Sequence, residues 1–296
     1  MKNTIINLNN KLSPNFVTGF IDAEGCFHVA IVDNTSLKVG KSLRAIFQIS
    51  LHKKDVALLK KIKDFFGVGK VILRKDGAYY YQVTSLCDLL LIIEHLNKYP
   101  LITHKRADFE LFKQIVNLML EQQHLTESGL AKIANIKASM NFGDIRPVKR
   151  PLVENIEAIY DFNWVSGFVE GEGCFFVNIY KRKDSVLGEG VKLVFKITQD
   201  KRNSEILTKF IEIFSCGKVY DQSPKVKVQD FMVTGLIGIT ENIIPFFLAH
   251  PLQGAKKKEF EDFVKVAELM KNKAHLNRDG LEKIRGIKFG MNFKRV

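Results

Sequence analysis

"WVSGFVEGEGCFFV" occupies residues 164–177, and "FVTGFIDAEGCFHV" occupies residues 16–29 of the same chain. Both stretches hold two acids and several small residues at matching positions. Gly19 and Gly167 mark the same position in the two copies and lie 148 residues apart. Such close agreement over 14 positions indicates a duplication, which the flanking sequence defines further.

The duplication covers a whole domain. "FQISLHKKDVALLKKIKDFFGVGKV" from residue 47 matches "FKITQDKRNSEILTKFIEIFSCGKV" from 195, and "HLTESGLAKIANIKASMNF" from 124 matches "HLNRDGLEKIRGIKFGMNF" from 275. The first pair is offset by 148 residues and the second by 151, so the second copy has three extra residues between Val219 and Pro251. A period near 150 is too long for a solenoid. We therefore predict two homologous domains, 1–141 and 163–296, joined by a linker at 142–162.

Each copy is predicted to have the element order α-β-β-α-β-β-α. The motif is helical, and the alternation in "CFHVAIVD" and "CFFVNIYK" predicts strands directly after it. The apolar spacing in "DVALLKKIKDFF" (55–66) and "NSEILTKFIEIF" (203–214) predicts an amphipathic helix in each copy. Two further strands form a hairpin, with its turn at Asp76-Gly77 in the first copy and near Ser223-Pro224 in the second. This order predicts a mixed α/β fold: two pseudo-symmetric domains, each with a four-stranded antiparallel sheet shaped as a saddle. Helices cover one face of each sheet, and the other face is left for a partner.

Charge and composition narrow the class of partner. The 296 residues carry a net charge of +13, which favours nucleic acid over an anionic membrane because the cations are spread along the whole chain. No apolar run reaches the roughly 18 residues that indicate a membrane span. The four cysteines form no C-x-x-C pair, which argues against a zinc ribbon or a redox site. Cys26 and Cys174 follow the two motifs at matching positions and are expected to be small buried residues.

The motif helices are predicted to pack against each other. Gly19 and Ala23 share one helix face, as do Gly167 and Gly171. A glycine inside a helix costs about 1 kcal/mol relative to alanine, and close helix–helix approach would offset this cost. Two copies of such a helix therefore predict an interface around a pseudo-twofold axis.

Glu24 and Glu172 end the two motif helices, where an acid opposes the helix dipole. If the helices pair, the carboxylates repel each other by about 3 kcal/mol at a separation of about 5 Å and an effective dielectric of about 20. A divalent cation reverses the sign of this interaction, and two carboxylates beside phosphates are typical of phosphodiester hydrolysis. The alternative is a pair of solvated acids at helix ends, which the duplication disfavours.

"VTGFIDAEG" (17–25) and "VSGFVEGEG" (165–173) resemble the nine-letter LAGLIDADG motif of homing endonucleases. The resemblance covers nearly the whole chain and is closest to the single-chain members with two repeats. The last acid is Glu in both copies, as in a subset of the family. Gly171 replaces the second Ala of the motif and keeps this position small.

The resemblance implies a role for each matching residue. Glu24 and Glu172 would bind catalytic metal ions with the main-chain carbonyls of Ala23 and Gly171. Asp22 and Glu170 hold the earlier acid of the motif and are interpreted as structural, because they lie off the small-residue face. Lys105 and Lys256 match the basic residue that lies near the scissile phosphate in the family. Gln199 matches a residue that positions water, and Leu51 is its counterpart in the first copy. These three residues complete the set of catalytic candidates.

The open face of each sheet is predicted to contact DNA. Side chains alternate along a strand, and Arg, Lys and Gln suit bidentate contacts to base edges in a major groove. A solvated strand face is the alternative. The first copy contributes His28, Ala30, Arg44, Gln48, Ser50, Lys70, Arg74, Tyr80, Gln82 and Thr84. The second copy contributes Asn178, Tyr180, Arg182, Lys192, Lys196, Thr198, Lys218, Tyr220, Gln222, Lys227, Asp230 and Thr234.

The resemblance implies a monomeric, site-specific endonuclease that cuts double-stranded DNA at a long asymmetric target and leaves short 3′ overhangs. Mg²⁺ or Mn²⁺ would support cleavage, whereas Ca²⁺ would support binding alone. The alternative is a group I intron maturase that binds intron RNA; a DNA-binding module without catalysis or a structural protein explains the two retained glutamates less well. The Phe-, Lys- and Asn-rich composition and the family indicate a mitochondrial intron product.

Overall fold

The computed structural model describes residues 11–141 and 161–291. The chain divides into two compact units, Met1–Asn155 and Ile156–Val296. The predicted linker lies, except for its last two residues, outside the described residues. No helix in the described ranges is both long and apolar enough to span a bilayer.

The first unit begins with the motif helix and alternates helices with strand pairs. Its elements are α1 (Pro14–Glu24), β1 (Gly25–Asp33), β2 (Lys41–Leu51), α2 (Val56–Phe66), β3 (Lys70–Leu73), β4 (Tyr79–Val83), α3 (Leu86–Lys98), α4 (Lys105–Leu120) and α5 (Glu127–Ala138). The strands form one antiparallel sheet in the order β1-β2-β4-β3. The predicted order is confirmed from α1 to the β3–β4 hairpin. Three helices, α3, α4 and α5, follow this hairpin where the predicted order has one.

The second unit repeats this order. Its elements are α6 (Phe162–Glu172), β5 (Gly173–Lys181), β6 (Glu189–Asp200), α7 (Ser204–Phe214), β7 (Lys218–Asp221), β8 (Val228–Val233), α8 (Leu236–Gly238), α9 (Ile244–Ala249), α10 (Lys256–Lys271) and α11 (Arg278–Phe289). A π-helical turn at Ile239–Ile243 joins α8 to α9. The sheet order β5-β6-β8-β7 matches that of the first unit.

Local sequence explains where these elements end. Gly67 ends α2 in the left-handed conformation, with φ of 71°, and its N–H bonds the carbonyl of Lys63. Gly77 lies in the β3–β4 turn with φ of 85°, as the Asp76-Gly77 pair predicts. The second hairpin turns at 222–227, around the predicted Ser223-Pro224.

The core of each unit lies between the sheet and its helices. In the first unit, Phe27 of β1 contacts Phe47 of β2 and Phe109 and Phe112 of α4, with ring centroids 5.3–5.5 Å apart. In the second unit, Phe175 holds the equivalent position among Phe195, Phe247, Phe260 and Phe263. These inward residues alternate with outward ones, so the opposite face of each sheet is left open to solvent or a partner.

The three extra residues of the second unit lie at two places. Leu73 pairs with Tyr79 across the first hairpin, whereas Asp221 pairs with Gln229, a separation of eight rather than six residues. The third extra residue lies between Gly235 and His250, the caps of the helix that corresponds to α3. A single insertion into an α-helix produces a π-turn, which is the conformation at Ile239–Ile243.

Candidate functional site

The motif glutamates sit at direct helix-to-strand junctions. α1 ends at Glu24, and Gly25 begins β1 with extended φ and ψ of −69° and 143°. A Cβ at Gly25 would lie 2.7 Å from the carbonyl oxygen of Ile21, so this junction requires glycine. Gly173 repeats the arrangement after Glu172. Both glutamates are half-buried, and each lies between a helix and a strand with no loop in between.

Lys105 lies close to the end of the first motif helix. Its Nζ donates to the carbonyl oxygens of Ile21 at 3.1 Å and Ala23 at 3.0 Å. Lys105 is the first residue of α4, whose dipole disfavours a cation there, but its ammonium reaches the negative C-terminal end of α1. The contact therefore places a positive charge beside the motif glutamate of the same unit.

Lys256 repeats this contact in the second unit. Its Nζ donates to the carbonyl oxygen of Gly171 at 2.9 Å and to that of Gly173. Each predicted carbonyl ligand, Ala23 and Gly171, thus already accepts a hydrogen bond from an ammonium group. One lone pair of each oxygen is taken, so the glutamate carboxylates are the stronger metal-ligand candidates.

Asp22 is a structural acid, as predicted. Its buried carboxylate accepts from the backbone N–H of Ile102 at 2.9 Å and from the N–H and hydroxyl of Thr103 at 3.3 and 2.7 Å. The same Thr103 hydroxyl oxygen accepts from the N–H of Lys105 at 3.1 Å. Asp22 thus fixes the loop that carries the lysine. In the second unit, Glu170 accepts from the N–H of Gln253 at 2.7 Å.

Gln199 lies near the end of β6 with its side chain engaged inside its unit. It shares the strand parity of the core residues Phe195 and Ile197, and its Oε1 accepts from Asn203 Nδ2 at 2.8 Å. The proposed role in positioning water stays a prediction, as does the pairing of the two motif helices.

The open faces carry the predicted polar residues in register. Gln48 pairs directly with Gln82, and Lys70 pairs with Gln82 from the other side, so these three side chains share one face. Asn178 pairs with Lys192 in the second sheet. Arg74, Arg182, Gln222 and Lys227 lie in or beside the turns, and Thr84 and Thr234 follow the last residues of their strands.

Several residues on these faces were not predicted. Strand parity also places apolar side chains and two cysteines outward: Cys26, Ile46 and Ile72 in the first unit, and Cys174, Phe176, Val194 and Met232 in the second. The expectation that Cys26 and Cys174 are small buried residues is wrong, because both lie on the open faces and neither is buried. Cys26 and Cys87 are exposed and Cys174 and Cys216 are half-exposed; Cys26 pairs with outward-facing Gln48 and Cys174 with outward-facing Lys196.

Asp230 lies at the centre of a polar network on the second open face. Its carboxylate accepts from Thr198 Oγ1 at 2.5 Å and from Gln222 Nε2 at 3.0 and 3.1 Å, and Lys196 Nζ lies 3.6 Å away. These neighbours leave Asp230 only 7% exposed, although its strand position faces outward. In the first unit, Gln82 donates to Gln48 Oε1 at 3.1 Å and Gln48 donates to Ser50 at 2.8 Å. The two faces thus present different patterns of hydrogen-bonding groups.

Comparison with known proteins identifies the repeat. The family model of the LAGLIDADG endonuclease matches residues 17–116 and 165–267, more than half of the chain. The chain belongs to the LAGLIDADG endonuclease family. Both matched ranges begin within the quoted motifs, so the resemblance seen in the sequence is confirmed.

Two similar proteins come from Neurospora crassa. Probable intron-encoded endonuclease 2 is 38% identical over 299 residues, which cover 94% of this chain and 64% of the relative. Probable intron-encoded endonuclease 3 is 37% identical over 286 residues, which cover 93% of this chain and 53% of the relative. The chain thus spans between half and two thirds of the length of these relatives.

Solved LAGLIDADG structures share the fold over nearly the full chain. The meganuclease I-SmaMI bound to uncleaveable DNA is 36% identical with a TM-score of 0.92, covering 97% of this chain and 99% of that protein. I-LtrWI bound to target DNA is 37% identical with a TM-score of 0.90, covering 96% of this chain and 98% of that protein. The predicted fold of two four-stranded antiparallel sheets with helices is confirmed.

The donor chemistry at the motif ends fits a divalent cation. Each LAGLIDADG helix ends in a half-buried glutamate whose hard oxygen atoms suit Mg²⁺, Mn²⁺ or Ca²⁺. Within residues 11–141 and 161–291, no group of three or more His, Cys, Asp or Glu side chains is arranged to hold a metal ion. A site built on one glutamate per unit therefore needs further oxygen ligands from outside the side chains, such as phosphates and water.

Proposed function

We propose that this chain is a site-specific endonuclease that hydrolyses both strands of a long DNA target. One observation carries the proposal: each repeated unit places a glutamate at the end of its motif helix, and a lysine ammonium bonds the carbonyls beside that glutamate. Phosphodiester hydrolysis uses both kinds of group, since negative charge develops on the phosphate oxygens in the transition state.

Glu24 and Glu172 are the residues that would hold the divalent cation. When bound, the cation supplies Lewis-acid stabilisation of the phosphate and lowers the pKa of water. Each glutamate is followed by a glycine at which a Cβ would clash with the preceding helix turn, so the junction fixes the backbone at the glutamate. The carbonyls of Ala23 and Gly171 are secondary candidates, because each already accepts from a lysine.

Lys105 and Lys256 would stabilise charge at the scissile phosphates. Asp22 and Thr103 hold the loop before Lys105, so the ammonium needs little reorganisation when DNA binds. Gln199 is the candidate for orienting the attacking water in one unit only. Leu51 has no hydrogen-bonding group at the matching position, so we propose that the two strands are cut by chemically unequal sites.

The two open sheet faces are the proposed DNA-binding surface. Their residues differ at most matching positions, for example Tyr80 in the first unit and Asp230 in the second, although Lys70 matches Lys218. Because the two surfaces differ and belong to one chain, we expect a monomer to recognise an asymmetric DNA target. The relatives I-SmaMI and I-LtrWI were both solved with DNA, which supports this assignment. We expect cleavage across the minor groove with short 3′ overhangs.

The proposals for the metal ion and for the cellular location rest on the chain's membership of the LAGLIDADG family. We propose Mg²⁺ or Mn²⁺ as the cofactor for cleavage and Ca²⁺ as an ion that permits binding alone. I-SmaMI was solved on an uncleaved DNA target in the presence of calcium ions, which supports the second part. The intron-encoded fungal relatives, including a protein of an ND4 intron in Podospora anserina, support a mitochondrial intron product.

The test is cleavage of a randomised plasmid library by the purified chain, with Mg²⁺ in one arm and Ca²⁺ in another, followed by sequencing of the cut ends. We expect recurrent cuts at one long site with Mg²⁺ and none with Ca²⁺. Glu24→Gln and Glu172→Gln should each lose at least about a thousandfold in rate. Glu94→Gln, an exposed glutamate on α3, is the matched control and should cut normally.

The competing function is intron splicing. If the wild-type chain cuts no DNA but binds a folded intron RNA tightly, the endonuclease proposal is wrong and the maturase alternative replaces it. If Glu24→Gln cuts at the wild-type rate, the chain is an endonuclease but its metal site is not the one proposed.

A further inference from the structure

A basic groove runs along the outer edge of the first sheet. It lies between α2 and β3, and β3 is the edge strand because the sheet order ends β4-β3. The groove is open to solvent, with a volume of about 510 Å³. It is lined by Lys60, Lys63, Asp64, Gly69, Lys70, Val71 and Ile72. Three cations and one acid thus share a single surface recess.

The lysines in this groove are not neutralised by the protein. Among the described residues, no carboxylate lies within 4.0 Å of the ammonium of Lys60, Lys63 or Lys70. Lys60 and Lys63 lie one turn apart on the exposed face of α2, opposite the buried Leu58 and Leu59. Like charges at this spacing repel by a few tenths of a kcal/mol, so helix stability does not require them.

The second unit provides an internal comparison on the same fold. At offset 148, Thr208 and Ile211 take the places of Lys60 and Lys63. Residues 52–70 have six lysines against two aspartates, a charge of +4, whereas 200–218 have four cations against three acids, a charge of +1. Three of these four cations in the second unit are paired with a carboxylate: Lys209 with Glu212 at 2.8 Å, Lys201 with Asp221 at 2.9 Å and Arg202 with Asp200 at 2.7 Å. The charge is therefore a property of one unit and is not imposed by the fold.

The groove is continuous with the proposed DNA-binding face. Lys70 pairs directly with Gln82, whose side chain bonds Gln48 on the open face. From Lys70 the groove passes around the unpaired edge of β3 to Lys63 and Lys60 on the helical side. A polyanion that lies on the open face and continues past its edge meets three unpaired ammonium groups in sequence.

We propose that this groove binds the phosphate backbone of the DNA duplex that continues beyond the first unit's half of the target. The inference rests on the proposed endonuclease function and adds to it a sequence-independent contact on one flank only. Lysine suits this role because its ammonium is a mobile point charge that can pair with a phosphate in many orientations, without the fixed fork of arginine. The contact should raise affinity for every sequence alike, and its contribution should decline with salt.

The groove makes a quantitative prediction. Each phosphate neutralised by a lysine contributes about −0.9 to the slope of log K against log salt. Lys60 and Lys63 together should therefore account for about 2 units of the slope. This contribution should require duplex DNA beyond the target on the side bound by the first unit and should be absent when that flank is removed.

The test uses the Lys60→Thr/Lys63→Ile double variant, which copies the second unit. Lys60→Gln/Lys63→Gln is a second variant that keeps polar side chains, and Lys209→Thr on α7 is the matched control because Lys209 is paired with Glu212. Binding is measured by fluorescence anisotropy in Ca²⁺ at several salt concentrations, and circular dichroism checks folding. The duplexes carry the selected target with both flanks, with the first flank removed or with the second flank removed.

We expect the slope of both double variants to fall by about 2 on the fully flanked duplex and to equal the wild-type slope once the first flank is removed. The Lys209→Thr control should match wild type throughout. A wild-type slope in both double variants overturns the inference, as does a loss that persists without the flank. Loss of binding to a structured RNA, with DNA binding intact, also overturns it and assigns the groove to RNA. Target cleavage by the wild-type chain reports on the proposed function separately.

Discussion

Gln222 donates its side-chain amide to both carboxylate oxygens of Asp230, over 3.0 and 3.1 Å. Because the amide is planar, this contact turns the Oε1 oxygen of Gln222 away from Asp230. The pair therefore offers acceptors on an otherwise basic surface. Acceptors on a protein suit bases that carry an exocyclic amino group in the major groove, which are adenine and cytosine.

Asp230→Asn should relax base preference at one position of the target by about 1–3 kcal/mol. It should also tighten non-specific binding, since a negative charge is removed. Selection of bound duplexes from a random pool measures both effects. Asp221→Asn on the same hairpin is the control, because Asp221 pairs with Gln229 off the open face and binds Lys201 at 2.9 Å. A control variant with the same relaxed preference contradicts the prediction.

Asp22→Asn should weaken both the fold and the chemistry. The buried carboxylate of Asp22 accepts three hydrogen bonds from Ile102 and Thr103. In asparagine an NH₂ group replaces one carboxylate oxygen, so a donor faces a donor and at least one of these bonds is lost. We expect a loss of about 2–3 kcal/mol in the free energy of unfolding. Single-turnover cleavage, measured well below the melting temperature, should slow while DNA affinity holds, because Lys105 is displaced.

Asp88→Asn, on the first turn of α3, is the control for this change and should cost less than about 1 kcal/mol. A purely structural role for Asp22 predicts normal single-turnover rates wherever the variant is folded, and that result refutes the positioning role.

Acid should destabilise the first unit through His95. Burial lowers the pKa of His95 from 6.5 to about 4, and its Nε2 lies 3.0 Å from Thr18 Oγ1. The neutral ring is favoured in the folded state, so its full contribution is present above pH 6.5 and is lost as pH falls toward 4. The pH-dependent loss is at most about 3 kcal/mol.

The second unit indicates how to remove this sensitivity. Phe246 occupies the place of His95, since each accepts the N–H of the residue that caps its helix. His95→Phe should therefore flatten the dependence of unfolding free energy on pH between 6.5 and 4, measured by urea titration at several pH values. His28→Gln, an exposed histidine, should retain the wild-type slope. An unchanged slope in His95→Phe shows that another group titrates.

Two glycines of one helix should respond in opposite directions to alanine. A Cβ at Gly280 would lie 2.0 Å from the carbonyl oxygen of Ala274, whereas a Cβ at Gly286 meets nothing within 4 Å. Gly280→Ala should lower the free energy of unfolding by about 2 kcal/mol or more. Gly286→Ala should raise it by about 0.5–1 kcal/mol, because alanine favours a helix interior. Thermal melts of both variants test the pair, and stabilisation by Gly280→Ala refutes the steric argument.

Sequence alone predicted most of this architecture, because apolar residues recur every two residues in the strands and about every 3.6 residues in the helices. Alternation located β1 and β5 to within one residue, and helical spacing located α2 and α7 equally well. The sequence also assigned Gln48 and Lys196 to the open faces. It missed Ile46 and other outward apolar residues, since an apolar side chain in a strand is normally interpreted as buried.

The contacts of the site could not be predicted in the same way. Lys105 reaches Ile21 across 84 positions, and Asp230 gains its partners from one neighbouring strand, β6, and from a turn. Such pairs depend on the three-dimensional path of the chain and leave no periodic signal. The motif resemblance identified Lys105 and Lys256, but the carbonyl oxygens that receive their ammonium groups became visible only in the fold.

The π-turn at Ile239–Ile243 shows how one of two duplicated units can gain a residue without a change in the contacts of the lysine that follows it. The surplus residue is confined between Gly235 and His250, and chain beyond it resumes the same path. Lys256 consequently lies 2.9 Å from the Gly171 carbonyl oxygen, as Lys105 lies 3.0 Å from that of Ala23. This helix is one of two places where the units differ in length, and a recombined chain joined here should keep Lys256 beside the Gly171 carbonyl oxygen.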